Sequence, residues 1–115
     1  MVSKKLAANA EHAAKFLAAL ASQHRLLIMC HLADSGEMSV GAISEKLMIS
    51  QSSLSQHLAK LRRLGVVETR RDSQTIYYSC NSEAVRDLLS VMDNLYGAGA
   101  PEKRAHLFTE KQQSN

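Results

Sequence analysis

Hydrophobic positions recur at helical spacing through most of the chain and alternate in one stretch, and the change of period outlines the architecture. Residues 7–20 are Ala-rich, with Ala10, Ala13, Ala14, Leu17 and Ala18 at helical spacing. They predict a first helix with a small-residue face suited to close packing. Ser22 reads as the N-cap of a second helix over residues 24–33, where Leu26, Leu27, Met29, Cys30 and Leu32 fill most of the circumference. Such a helix belongs in the core, and it ends near Asp34-Ser35-Gly36. Residues 39–48, with Val40, Ile43 and Leu47 apolar, predict a short third helix, and Ser50 caps a fourth only a few residues later.

After Gly65 the pattern alternates. Residues 66–71 and 75–80 are β-branched and aromatic runs joined by Asp72-Ser73-Gln74, which predicts a hairpin. Ile76, Tyr78 and Cys80 share one face of its second strand, and Thr75, Tyr77 and Ser79 the other. Asn81 or Ser82 caps a fifth helix over residues 83–96, where Val85, Leu88, Leu89, Met92, Leu95 and Tyr96 form an apolar stripe before Gly97-Ala98-Gly99-Ala100-Pro101 ends it. Residues 102–115 are polar and read as a loosely ordered tail. The predicted fold is a single domain over residues 1–115, mainly α with one β-hairpin, in the order α-α-α-α-β-β-α.

Two short helices joined by a tight turn, the second leading into a basic segment and a hairpin, outline a winged helix-turn-helix. Around the fourth helix, Leu54, Leu58, Leu61 and Leu64 fall on one side. Ser52, Gln56, Ala59 and Arg63 lie opposite, with Lys60 beside them and Gln51, Ser53 and Ser55 flanking. Amide and hydroxyl groups near the helix start and cations toward its end suit insertion into a DNA major groove. Gln pairs with adenine, Ser serves base or phosphate, and Lys and Arg hold phosphates. His57 lies on the shoulder of the apolar side, which suits a packed histidine. Arg70, Arg71 and Gln74 on the hairpin are placed to meet the neighbouring DNA backbone or minor groove.

Composition narrows the field. The chain has 115 residues, a formal net charge of +3, 45% hydrophobic and 22% charged residues, an ordinary globular balance. Lys60, Arg62, Arg63, Arg70 and Arg71 crowd one segment opposed there only by Glu68, which points to an anionic partner. The longest apolar stretches are far shorter than a membrane span, and Glu11, His12 and Lys15 interrupt the region where a signal peptide needs its apolar run. The expected location is the cytoplasm, with no membrane partner. Cys30 and Cys80 are too few for a disulfide framework. His12, His24, His31, His57 and His106 form no HxxxH or HxH grouping, and no metal or cofactor is expected. No paired carboxylates, nucleophile with a base, or Gly-rich phosphate loop suggests an enzyme.

Arg25-Leu26-Leu27-Ile28, Glu37-Met38-Ser39-Val40-Gly41, the run Ser50-Gln51-Ser52-Ser53-Leu54-Ser55-Gln56-His57-Leu58-Ala59-Lys60-Leu61, Gly65-Val66-Val67-Glu68-Thr69-Arg70-Arg71 and Tyr77-Tyr78 together resemble the ArsR/SmtB family of bacterial winged-helix repressors. The likeness spans about residues 10–97, and within the family it is to the nodulation-repressor and biofilm-regulator types. It implies a homodimer joined through the first and last helices, with Leu17, Leu88, Met92, Leu95 and Tyr96 as interface candidates. It also implies binding of double-stranded DNA through the fourth helix and hairpin, repression at an inverted-repeat operator, and response to a signal.

The departures concern that signal. Metal-sensing members carry paired cysteines in the third helix, where this chain has Ser39 and Gly41, and others hold zinc through fifth-helix histidines that residues 83–96 lack. Redox-sensing members pair a second-helix cysteine with one near the end of the fifth. Cys30 matches the first position, but Gly97 stands near the second, leaving Cys30 and Cys80 as redox candidates. No inducer is named by these residues. Two alternatives stay open: a thiol- or metal-responsive sensor, and a winged helix used for protein or RNA contact.

Overall fold

Side chains that cap helix ends punctuate the first half of the chain. In the computed structural model, which describes residues 2–98, Ser3, Ser22, Ser39 and Ser50 each accept a hydrogen bond from the backbone N–H three residues on. Each satisfies a donor that the first turn of a helix leaves open. The helices they start are α1 (Lys4–Ala8), α3 (Gln23–Ser35), α4 (Val40–Leu47) and α5 (Gln51–Leu64). α2 (Ala10–Leu20) follows α1 directly.

The first helix of the sequence analysis is thus two. Asn9 breaks it at φ −103° and ψ 16°, its side-chain amide donating to the Lys5 carbonyl at 3.0 Å. This is the local competition that disfavours Asn inside helices.

A strand pair follows α5: β2 (Val67–Asp72) and β3 (Thr75–Cys80) run antiparallel from Val67↔Cys80 to Asp72↔Thr75, leaving Ser73-Gln74 as the turn. The expected hairpin is present, and it gains a strand. β1 (Met38–Ser39) pairs with β3, so the sheet is three-stranded in the order β1-β3-β2. Two residues are too few to carry a period, so β1 exists only through its pairing.

By contact the chain divides into two units, Met1–Ser82 and Glu83–Asn115. Ile28, Met29 and Leu32 of α3, Ile43 of α4 and Leu54, Leu58 and Leu61 of α5 are buried in the first unit, as are Tyr78 and Cys80 of β3. Each such large side chain stabilises the fold by about 1.5–3 kcal/mol. In the second unit, α6 (Glu83–Tyr96) has Val85 buried, Leu88, Met92 and Leu95 half-buried, and Val91 and Tyr96 exposed. The predicted tail and His106 lie outside the described residues. Among the described residues no single helix is long and apolar enough to cross a membrane.

Arg25 holds α5 in place from behind. Its Nε donates to the Ala19 carbonyl near the end of α2, and its Nη1 donates to Nδ1 of His57 at 3.2 Å. A guanidinium only donates, so Nδ1 is the unprotonated acceptor of a neutral ring. The His24 ring meets His57 edge-on at 5.4 Å. Burial first, then the charges of Arg25, His24 and Lys60, hold the His57 pKa below the usual imidazole value. His57 is therefore the packed histidine that its helix position suggests.

Two expectations follow from this packing. Met48, which closes α4, is 90% exposed and sits in the left-handed region at φ 57° and ψ 43°. That conformation costs an L-residue about 1–2 kcal/mol, more than the roughly 0.5–1 kcal/mol of added chain entropy that glycine brings. Met48→Gly should therefore raise stability by about 0.5–1 kcal/mol in a urea titration. No change or a loss would mean the Met48 side chain makes a stabilising contact. The second expectation concerns acid. A histidine with a lowered folded pKa contributes stability that is complete above its unfolded pKa, about 6.5, and is lost as pH falls below it toward the folded value. Urea midpoints should drop on acidification through that window, and His57→Gln, which keeps an acceptor but cannot titrate, should drop less. Equal slopes for the two proteins would remove His57 from the acid response.

Candidate nucleic-acid interface

The buried leucines decide which way α5 faces. Leu54, Leu58 and Leu61 are at most 2% exposed, so the side turned through half a circle must look outward. Ser52, Gln56 and Arg63 stand there exposed, with Ala59 half-buried among them and Lys60 exposed alongside. Gln51 and Ser55 are exposed at the helix start, whereas Ser53 is half-buried and its N–H is held by the Ser50 cap at 3.1 Å. Ser55 Oγ donates to the Gln51 carbonyl at 2.8 Å, which leaves its lone pairs, not its proton, for a ligand.

The turn that presents this helix is itself tied down. Ser44 Oγ donates to the Ile49 carbonyl at 2.6 Å, and the Ile49 N–H returns to the Ser44 carbonyl at 3.3 Å. At the other end Gly65 closes α5 in the left-handed conformation, φ 82°, which turns the chain into β2.

An open cleft of about 640 Å³ separates α5 from the hairpin. Its floor includes Leu58 and Tyr78, and its mouth carries Gln51, Ser55, Arg62 and Gln74. Arg62 belongs to the basic segment of the sequence but is not among its candidate DNA contacts. Its place is readable, because Gln51, Ser55, Leu58 and Arg62 make one row at helical spacing, but that row borders the leucine side and not the face opposite it.

On the hairpin, Arg71 and Gln74 are exposed, Gln74 at the tip. The structure changes the reading of Arg70, which the sequence places in a basic segment opposed only by Glu68. Its Nε and Nη2 donate to Glu37 Oε2 and Oε1 at 3.0 and 2.8 Å, and its guanidinium lies 4.6 Å from the centre of the Tyr77 ring. The hydrogen bond from Arg70 holds the Glu37 carboxyl below the usual carboxylate range, and the same bond raises the Arg70 pKa. The count that set only Glu68 against the basic segment missed Glu37, which lies 33 residues from Arg70 in sequence.

Cys30 is a half-buried thiol and Cys80 a buried one, the latter donating to the Ser82 carbonyl at 3.7 Å. Among the described residues no three His, Cys, Asp or Glu side chains gather as a metal ion requires.

Known proteins share this architecture. Residues 22–69, from the cap of α3 into β2, match the bacterial regulatory protein, arsR family. Nodulation protein NolR of Rhizobium meliloti is 53% identical over 89 residues, 77% of this chain and 72% of that protein. Transcriptional activator HlyU of Vibrio cholerae is 46% identical over 88 residues, 76% of this chain and 81% of that protein. The crystal structure of the transcriptional repressor BigR from Xylella fastidiosa superposes with a TM-score of 0.77 at 31% identity, covering 84% of this chain and 97% of that one. On fold, sequence and the helix-turn-helix, this chain belongs to the arsR family of bacterial regulatory proteins, DNA-binding transcriptional regulators with a winged helix-turn-helix and no enzymatic activity.

Proposed function

We propose that this protein acts in the cytoplasm as a homodimer that binds an inverted-repeat operator in double-stranded DNA and represses the promoter beneath it. The observation that carries this reading is the exposed polar face of α5 opposite the buried Leu54, Leu58 and Leu61. In the proposed complex α5 enters the major groove, and Ser52 and Gln56 reach base edges with Gln51, Ser53 and Ser55 beside them. Lys60, Arg63 and Arg71 hold phosphates, and Arg62 and Gln74 meet the backbone where it crosses the cleft.

Dimerisation through α2 and α6 is supported by apolar surface that the described chain leaves open. Leu17 is 53% and Tyr96 54% exposed, and Leu88, Met92 and Leu95 are only partly covered. A second copy covering them would build the two-fold axis that an inverted repeat mirrors. Among the relatives, HlyU is named an activator and BigR a repressor.

Base reading and phosphate anchoring separate experimentally. Gln56→Ala should cost about 1–3 kcal/mol on the best duplex and relax preference at particular base pairs, with non-specific affinity nearly unaltered. Arg63→Ala or Arg71→Ala should weaken binding to all sequences and flatten the salt dependence by about one unit per lost contact. Anisotropy titrations over a range of salt distinguish the two. The same sequence-independent loss from Gln56→Ala and Arg71→Ala would contradict the division of roles. Sedimentation of the unaltered protein at micromolar concentration should give a dimer that Leu88→Glu splits, and a monomeric parent would overturn the assembly.

A further inference from the structure

We propose that Glu37 limits the sequence-independent attraction of this interface for duplex DNA by pairing with Arg70, so that the pair adds no net positive charge to the wing. The inference rests on the DNA-binding reading above and assigns a role to a residue outside both the recognition helix and the hairpin.

The sheet builds the pair. Arg70 of β2 stands opposite Tyr77 of β3, and Tyr77 stands opposite Ser39 of β1. Residues opposite one another share a face, and Glu37, two residues before Ser39, returns to the same face. Glu37 thus reaches Arg70 across β3, and the Tyr77 ring supports the guanidinium from its flat side at 4.6 Å. The pairing is bidentate, with both carboxylate oxygens engaged, which fixes orientation as well as distance.

The side chains of Arg70 and Glu37 are 53% and 39% exposed, so the pair does little for folding. Its consequence is in the field outside. Binding to DNA of any sequence is driven by release of counterions in proportion to the phosphate charge that the protein neutralises. A guanidinium already matched by a carboxylate contributes no net charge to that sum, and a phosphate approaching it meets Glu37 as well. Base contacts from α5 are untouched by this cancellation. The attraction common to all sequences, which sets how firmly the protein is held on random DNA, is lowered accordingly.

The test is a double-mutant cycle on the full chain, read by anisotropy with an operator duplex taken from a random pool and a scrambled duplex of equal length. Glu37→Gln should bind the scrambled duplex several-fold tighter at low salt and steepen the salt dependence by about 0.9 unit for each wing in contact. Operator binding should tighten by a similar factor, leaving the operator-to-scrambled ratio nearly unchanged. The double variant Glu37→Gln/Arg70→Ala, which again has no net charge at this place, should return to the slope and scrambled-duplex affinity of the parent. Scrambled-duplex binding unchanged or weakened by Glu37→Gln, with a thermal melt matching the parent, overturns the proposal. So does a double variant that keeps the tighter scrambled-duplex binding of Glu37→Gln. A parent protein with no salt-dependent duplex binding would sink the DNA-binding reading itself, whereas normal parent binding with no response to Glu37→Gln sinks only the role of Glu37.

Discussion

Burial of Leu54, Leu58 and Leu61 against the rest of the first unit is the constraint on which the interface depends. A helix is held by one face, so fixing these three side chains fixes the direction of every other residue on α5. Losing any one to alanine costs about 2–5 kcal/mol, a large part of the stability of a domain this size. The outward face can therefore be polar and exposed without the helix turning to hide it. Arg25 reinforces the same orientation, joining the end of α2 to His57 on the flank of α5.

The wing depends on a second constraint, the strand register. Pairing from Val67↔Cys80 to Asp72↔Thr75 puts Tyr78 and Cys80 inward and sends Arg70 and Arg71 to opposite faces. The two arginines are neighbours in sequence and opposites in circumstance. Arg70 faces Tyr77 and Glu37, and Arg71 is exposed on the other face. A basic segment read as a sum of charges hides that difference, and the sheet restores it.

Much of the fold was legible because its signals are local. Serine caps at Ser22 and Ser50, the leucine spacing of α5 and the change of period after Gly65 all act within a few residues, and all are present in the structure. The outward face of α5 was equally legible, since helical geometry alone places Ser52, Gln56 and Arg63 opposite the leucines. What escaped is what forms through distant partners. β1 exists because β3 offers it an edge, and Glu37 meets Arg70 because β1 lies on that edge. The break at Asn9 is a different failure, where a single side chain competing for the Lys5 carbonyl outweighs an otherwise helical run of alanines. Arg62 was within reach of periodicity alone, but its importance comes from the cleft, which only the folded hairpin creates.

Selection of bound sequences from random duplex DNA, followed by sequencing of the enriched pool, tests the central claim most directly. A two-fold dimer with one α5 in each major groove predicts an inverted repeat whose half-site centres lie about 10 base pairs, or a multiple of that, apart. An enriched pool with no common sequence, or with a single unrepeated half-site, would contradict it.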